Sequence, residues 1–85
     1  MEQKIGSFGW AIDRLKDGAR VQRRGWNGKG MYIELQVPDE HSKMQRPYIY
    51  MRPVDGKLVP WLASQADMLE EDWEEYCDDI AKEKK

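Results

Sequence analysis

The sequence predicts an α+β fold: a small antiparallel β-sheet packed around an N-terminal amphipathic helix, with a short C-terminal helix. Three observations carry that expectation. Phe8, Ala11, Ile12 and Leu15 recur at the i, i+3, i+4, i+7 spacing of one helical face. Met31, Ile33, Leu35 and Val37 alternate with Tyr32, Glu34 and Gln36, the period of two that marks a half-buried strand. Asp55-Gly56 stands between two short apolar runs, a strong hairpin signal.

In chain order, Ser7 is a suitable N-cap for the first helix, and Gly18 sits where a helix ends on a left-handed residue. Ala19 to Arg23 reads as a short strand with Ala19 and Val21 on one face. Gly25-Trp26-Asn27-Gly28-Lys29-Gly30 holds three glycines in six residues, so it reads as a loop. The strand from Met31 ends at Pro38, and Asp39 to Arg46 is a polar loop. Tyr48 to Met51 forms the next strand, and Lys57-Leu58-Val59 returns after the hairpin turn. Pro53 and Pro60 lack ladder donors, which makes these strands short or places them at an edge. Ser64-Gln65-Ala66-Asp67 has the form of a capping box. Leu69, Trp73, Tyr76, Cys77 and Ile80 then recur at helical spacing, which predicts a C-terminal helix; an edge strand just after Trp73 is the alternative.

Eighty-five residues make one domain, with a core spanning about residues 7–76 and a charged tail at 77–85. So short a chain buries little and often gains support from disulfides, metals or oligomerisation. Cys77 is the only cysteine and His41 the only histidine, so neither a disulfide nor a zinc cluster is expected. That leaves self-association, for which four tryptophans are suited. With no apolar run of membrane-spanning length and no signal-peptide pattern, the expected location is the reducing cytoplasm.

The net charge of −2 hides an asymmetry. Residues 1–60 carry eleven Lys/Arg against seven Asp/Glu, whereas residues 61–85 carry three against nine. Nucleic acid requires a continuous basic footprint, which a pI near 5.4 does not supply. A small anion requires only a few well-placed positive groups.

Those groups lie in Arg23-Arg24-Gly25-Trp26-Asn27-Gly28-Lys29-Gly30. Glycines let backbone N–H groups approach an anion, Lys29 and the arginines add charge, and Trp26 offers a flat face to a nucleobase. The alternative is a plain turn whose tryptophan packs inward. The spacing is not that of a Walker loop, because no Ser or Thr follows Lys29. The second segment is Val59-Pro60-Trp61-Leu62-Ala63-Ser64-Gln65-Ala66-Asp67. Ser64, Gln65 and Asp67 crowd a helix N-terminus, where they either read a ligand's polar groups or only cap their own helix. The carboxylates from Glu70 to Asp79 read as a solvated face rather than a metal cluster, His41 as a surface residue and Cys77 as packing. No nucleophile, base and orienting group come together, so catalysis is not expected.

Phe8-Gly9-Trp10-Ala11-Ile12, the stretch from Arg24 to Tyr32 and the stretch from Val59 to Glu74 resemble, in the same order, the second Thoeris anti-defence family of phages. The resemblance runs from about Phe8 to Glu74. It implies a non-enzymatic sponge without cofactor that binds cyclic ADP-ribose isomers, chiefly the glycocyclic form, and leaves them intact. Some members also hold cyclic di- or trinucleotides. It further implies a homotetramer with pockets between protomers, and pocket residues Trp26, Asn27, Lys29, Trp61, Ser64, Gln65 and Asp67. The Val37–Tyr48 loop looks short beside some relatives, and the acidic tail beyond Tyr76 extends past their usual end. From a different class, the acidic C-terminal run suggests a phage nucleotide-metabolism enzyme or its accessory subunit.

Overall fold

The computed structural model describes residues 3–77. Its first element, α1 (Phe8–Lys16), begins where Ser7, in an extended conformation, accepts a hydrogen bond from the Trp10 N–H on its Oγ at 3.2 Å. It ends at Asp17, and Gly18 follows at φ 92°, a left-handed value that a side chain would oppose. Ala11 and Leu15 are buried, while Phe8 and Ile12 flank them half-buried, as the periodicity predicts.

Among the described residues five strands follow: β1 (Val21–Arg23), β2 (Tyr32–Gln36), β3 (Tyr48–Arg52), β4 (Val59–Pro60) and β5 (Trp73–Glu75). They form one antiparallel sheet in the order β4-β3-β2-β1-β5. The pairs Ile33 with Met51 and Leu35 with Ile49 put apolar side chains on the face under α1. Val21 and Ile33, paired across β1 and β2, are fully buried there. Tyr32, on the opposite face, is also buried, because Arg20 lies 4.6 Å over its ring and Tyr76 packs at 4.8 Å between ring centroids.

The hairpin is present, but Asp55-Gly56 does not form its two-residue tip. The Gly56 N–H donates to the Pro53 carbonyl at 2.9 Å, closing a turn over Pro53–Gly56, and pairing resumes only at Val59 opposite Met51. Pro60 lies on an edge strand of two residues, where its missing N–H disrupts least.

The C-terminal helix is much shorter than its periodicity suggests. α2 (Gln65–Leu69) opens with the expected capping box and stops at Glu70, which is extended. Trp73, Glu74 and Glu75 then form β5 on the edge of β1, so the edge-strand alternative holds and the helix through Trp73, Tyr76 and Cys77 does not. A continued helix would place Glu70 over Glu74 and Glu71 over Glu75, like charges one turn apart that oppose helix formation. The strand instead sends Trp73 inward and Glu74 outward. Cys77 is exposed rather than packed, and Leu69 is 77% exposed; Ile80 and Asp78 lie outside the described residues.

Trp73 is the main reward of that arrangement. Only 3% exposed, it joins Ala11, Leu15, Val21 and Ile33 in the core. Its ring meets Phe8 at 5.8 Å, Trp26 edge-on at 5.4 Å and Trp61 edge-on at 6.1 Å. Burying an indole stabilises by about 4–6 kcal/mol as an upper bound. Its main-chain N–H donates to Gly6 at 3.0 Å, which stitches β5 to the segment before α1.

Candidate functional site

The glycine-rich loop between β1 and β2 is tied down at both ends. Near its start, the Gly25 N–H donates to Asp72 Oδ2 at 2.9 Å and the Arg24 N–H to the Asp72 carbonyl at 3.1 Å. Near its end, Arg52 Nη1 donates to the Gly30 carbonyl at 2.8 Å. Gly28 adopts φ 137° against the β3–β4 turn, and a Cβ there would stand 2.4 Å from Val54 Cγ2. Only glycine fits, so the loop's path is fixed by the turn it rests on.

A network of charged groups holds the same loop to α2. Arg23 donates through Nε to Asp72 Oδ1 at 2.8 Å and through Nη1 to Asp67 Oδ1 at 2.9 Å. Trp26 Nε1 reaches that same Asp67 oxygen at 3.3 Å. The second Asp67 oxygen accepts the Ser64 N–H at 2.9 Å, and the Ser64 hydroxyl accepts the Asp67 N–H at 3.1 Å, closing the capping box. The Asp67 carbonyl accepts Trp73 Nε1 at 2.8 Å. Asp67 is thus the joint between the two sequence motifs, buried and fully engaged with protein groups.

Burial works against ionisation of Asp67, but hydrogen bonds from Ser64, Arg23 and Trp26 outweigh it and hold the carboxyl below its ordinary value. Asp72 is lowered first by the hydrogen bond from Arg23, against the opposing effect of burial, with Gly25 assisting. Arg23 is raised, chiefly by Asp72. These three groups stay charged and paired at neutral pH.

An open cleft of about 410 Å³ lies between the glycine loop and β5. Trp26, Arg24 and Lys29 contribute from the loop, Gln22 from β1, and Glu74 and Tyr76 from β5 and just beyond. Of the residues singled out from sequence, Trp26 and Lys29 meet here. Trp26 is half-buried: it lines the cleft and also packs in a T-shaped contact on Trp73. Asn27 is exposed in the loop but is not among the cleft's lining residues. Trp61 packs against Phe8 and Trp73, away from the cleft lining. Ser64 and Gln65 are exposed at the start of α2, and Asp67 is the buried joint.

Arg23 lines the cleft as well, but its charge is committed to Asp67 and Asp72, which leaves Arg24 and Lys29 as the exposed cations of the loop. Gln22, Asp72 and Glu74 were not expected at the site. No alternation marks them, because Trp73-Glu74-Glu75-Tyr76 has its polar residues adjacent; only strand pairing sets Glu74 beside Gln22. Of the acidic run, Glu71 precedes β5 and Glu75 belongs to it. Among the described residues, no group of three His, Cys, Asp or Glu side chains is arranged to hold a metal ion, and no helix is long and apolar enough to cross a membrane.

Fold and site together define a small α+β domain, in which one helix covers one face of a five-stranded antiparallel sheet and a pinned glycine loop borders a polar cleft at the β5 edge. The family model described as the Thoeris anti-defense 2-like domain matches residues 6–76. A curated relative, Thoeris anti-defense 2 of Bacillus phage SP01, is 36% identical over 81 aligned residues, covering 80% of this chain and 91% of the relative. The chain belongs to the Thoeris anti-defense 2-like family, a family of phage proteins that counter the Thoeris defence.

Proposed function

We propose that the protein counters Thoeris by binding and holding a cyclic ADP-ribose signal, chiefly the glycocyclic isomer, without breaking its bonds. The observation that carries this reading is the cleft beside the glycine loop, where Trp26 faces the space that Arg24 and Lys29 border. An indole can stack on adenine, contributing roughly 1–3 kcal/mol per base. Two cations and the loop's amides can receive a pyrophosphate. The loop is already pinned by Asp72, Arg52 and Val54, so little ordering cost falls on the ligand. Cyclic di- and trinucleotides offer the same stacking and phosphate chemistry and belong to the ligand range to be tried.

Self-association into a homotetramer completes the reading, with pockets formed between protomers. In support, Leu62 is 92% exposed, and Leu58, Val59 and Leu69 are exposed as well, apolar side chains that a second copy would cover. In such an assembly Asn27, Trp61, Ser64 and Gln65 are the residues available to complete a neighbour's cleft. The protein acts in the cytoplasm of the infected host, where the signal is made.

The experiment is a hold-and-release assay. The protein is incubated with glycocyclic ADP-ribose, freed of unbound ligand, then heated, and the released nucleotide is identified by chromatography. Intact ligand in proportion to protein supports sequestration. A changed nucleotide would establish the competing reading, an enzyme of nucleotide metabolism, and no retained ligand would remove the binding role.

A further inference from the structure

The cleft has two walls of opposite chemistry. Arg24 and Lys29 border it on the loop side, while Glu74 and Glu75 border it on the β5 side. A site built only for an anion would not carry two carboxylates. Gln22 and Glu74 are paired across β1 and β5, both half-buried, and Gln22 Nε2 donates to Glu74 Oε2 at 3.0 Å. That bond uses the amide nitrogen of one and a single oxygen of the other. Among the described residues, Gln22 Oε1 and Glu74 Oε1 receive no donor, which leaves two fixed neighbouring acceptors at the cleft.

Neighbouring acceptors suit a ligand group with neighbouring donors. The two hydroxyls of a ribose cis-diol are such donors, and hydroxyls bound to a carboxylate make short, strong hydrogen bonds. A phosphate on that sugar offers acceptors in place of a donor and brings like charge against Glu74 and Glu75.

We propose that Gln22 and Glu74 form a specificity wall that holds an unphosphorylated ribose diol, so the cleft accepts a nucleotide bearing a pyrophosphate and free sugar hydroxyls and rejects its sugar-phosphorylated counterpart. The inference rests on the sequestration reading and narrows the ligand class of that same site. The pyrophosphate lies toward Lys29, the base toward Trp26 and the sugar toward Glu74.

The test is calorimetric titration of wild type, Glu74→Gln, Gln22→Ala and Lys29→Ala with glycocyclic ADP-ribose and with its analogue phosphorylated on the ribose that carries the free cis-diol, at constant ionic strength. Wild type is expected to prefer the unphosphorylated ligand by at least about tenfold. In Glu74→Gln the preference falls to within about threefold, through weaker binding of the diol and tighter binding of the phosphate. Gln22→Ala, which breaks the pair from the other side, moves the ratio the same way. Lys29→Ala weakens both ligands alike and leaves the ratio in place. A wild-type ratio near one, or a ratio unchanged in Glu74→Gln, overturns the specificity wall and leaves sequestration standing. Wild type binding neither ligand removes the parent reading and this inference together.

Discussion

The indole N–H of Trp26 and the carboxylate of Asp67 are joined at 3.3 Å, so the residue that faces the cleft and the residue that caps α2 share one hydrogen bond. Arg23 donates to the same Asp67 oxygen. Whatever loosens Asp67 therefore loosens Trp26, although the two are 41 residues apart in sequence.

Asp67→Ala strands Arg23 Nη1, the Trp26 N–H and the Ser64 N–H together, while Arg23 Nε keeps Asp72. Removing one partner of a buried ion pair costs about 3–5 kcal/mol; with Asp72 still in place, we expect a loss of about 2–3 kcal/mol by urea unfolding. Asp67→Asn keeps one acceptor and falls between Ala and wild type. A loss below about 1 kcal/mol for the alanine variant would show the network to be solvent-screened.

Trp26→Phe keeps a ring against Trp73 but loses the donor to Asp67, with an expected cost of about 1 kcal/mol in stability. Trp26→Ala loses the packing too, about 2–3 kcal/mol for a half-buried indole. Ligand affinity should fall by roughly 1–3 kcal/mol in the alanine variant and less in the phenylalanine one. Wild-type affinity in a folded Trp26→Ala protein would exclude base stacking.

Ser64→Ala opens the capping box of a helix only five residues long, at about 1 kcal/mol. Thermal unfolding measures it. Because Ser64 Oγ also fixes the Asp67 backbone, the same variant should increase hydrogen exchange at the Gly25 and Trp26 amides. Unchanged exchange there would separate the cap from the loop.

Asp67 and Asp72 ionise more readily folded than unfolded, so their stabilisation is full above the ordinary carboxylate range, near pH 4, and is lost as pH falls through their lowered values. The unfolding free energy should hold across neutral pH and decline below about pH 4–5. In Asp72→Asn the slope of that decline should be shallower. An unaltered acid limb in the variant would contradict the pairing with Arg23.

Tyr50 gives an alkaline counterpart. Burial, with Glu34 accepting a hydrogen bond from the phenol O–H, pushes it up to about 12. Absorbance titration should show an ionisation near that value that vanishes in Tyr50→Phe; its persistence would assign the step elsewhere.

Much of this was legible in the sequence because it is local. The stripe Phe8-Ala11-Ile12-Leu15, the alternation around Ile33 and the Ser64–Asp67 box each depend on residues within a turn or two, and each stands as read. β5 was not, since the spacing of Leu69, Trp73 and Tyr76 fits a helix and only the free edge of β1 decides otherwise. The site divided on the same line. Trp26 and Lys29 were visible within one loop, whereas Asp72, Gln22 and Glu74 reach it through pairings made 47 or more residues apart.

The placement of Trp73 also shapes how the chain comes into being. The indole at the centre of the core arrives with β5, the last strand among the described residues, and the Trp73 main-chain N–H closes onto Gly6 near the start. On a ribosome, α1 and the first four strands must emerge without the side chain that seals them. Completion of the core therefore waits for Trp73, and a chain cut short before it lacks the indole that joins α1 to the sheet.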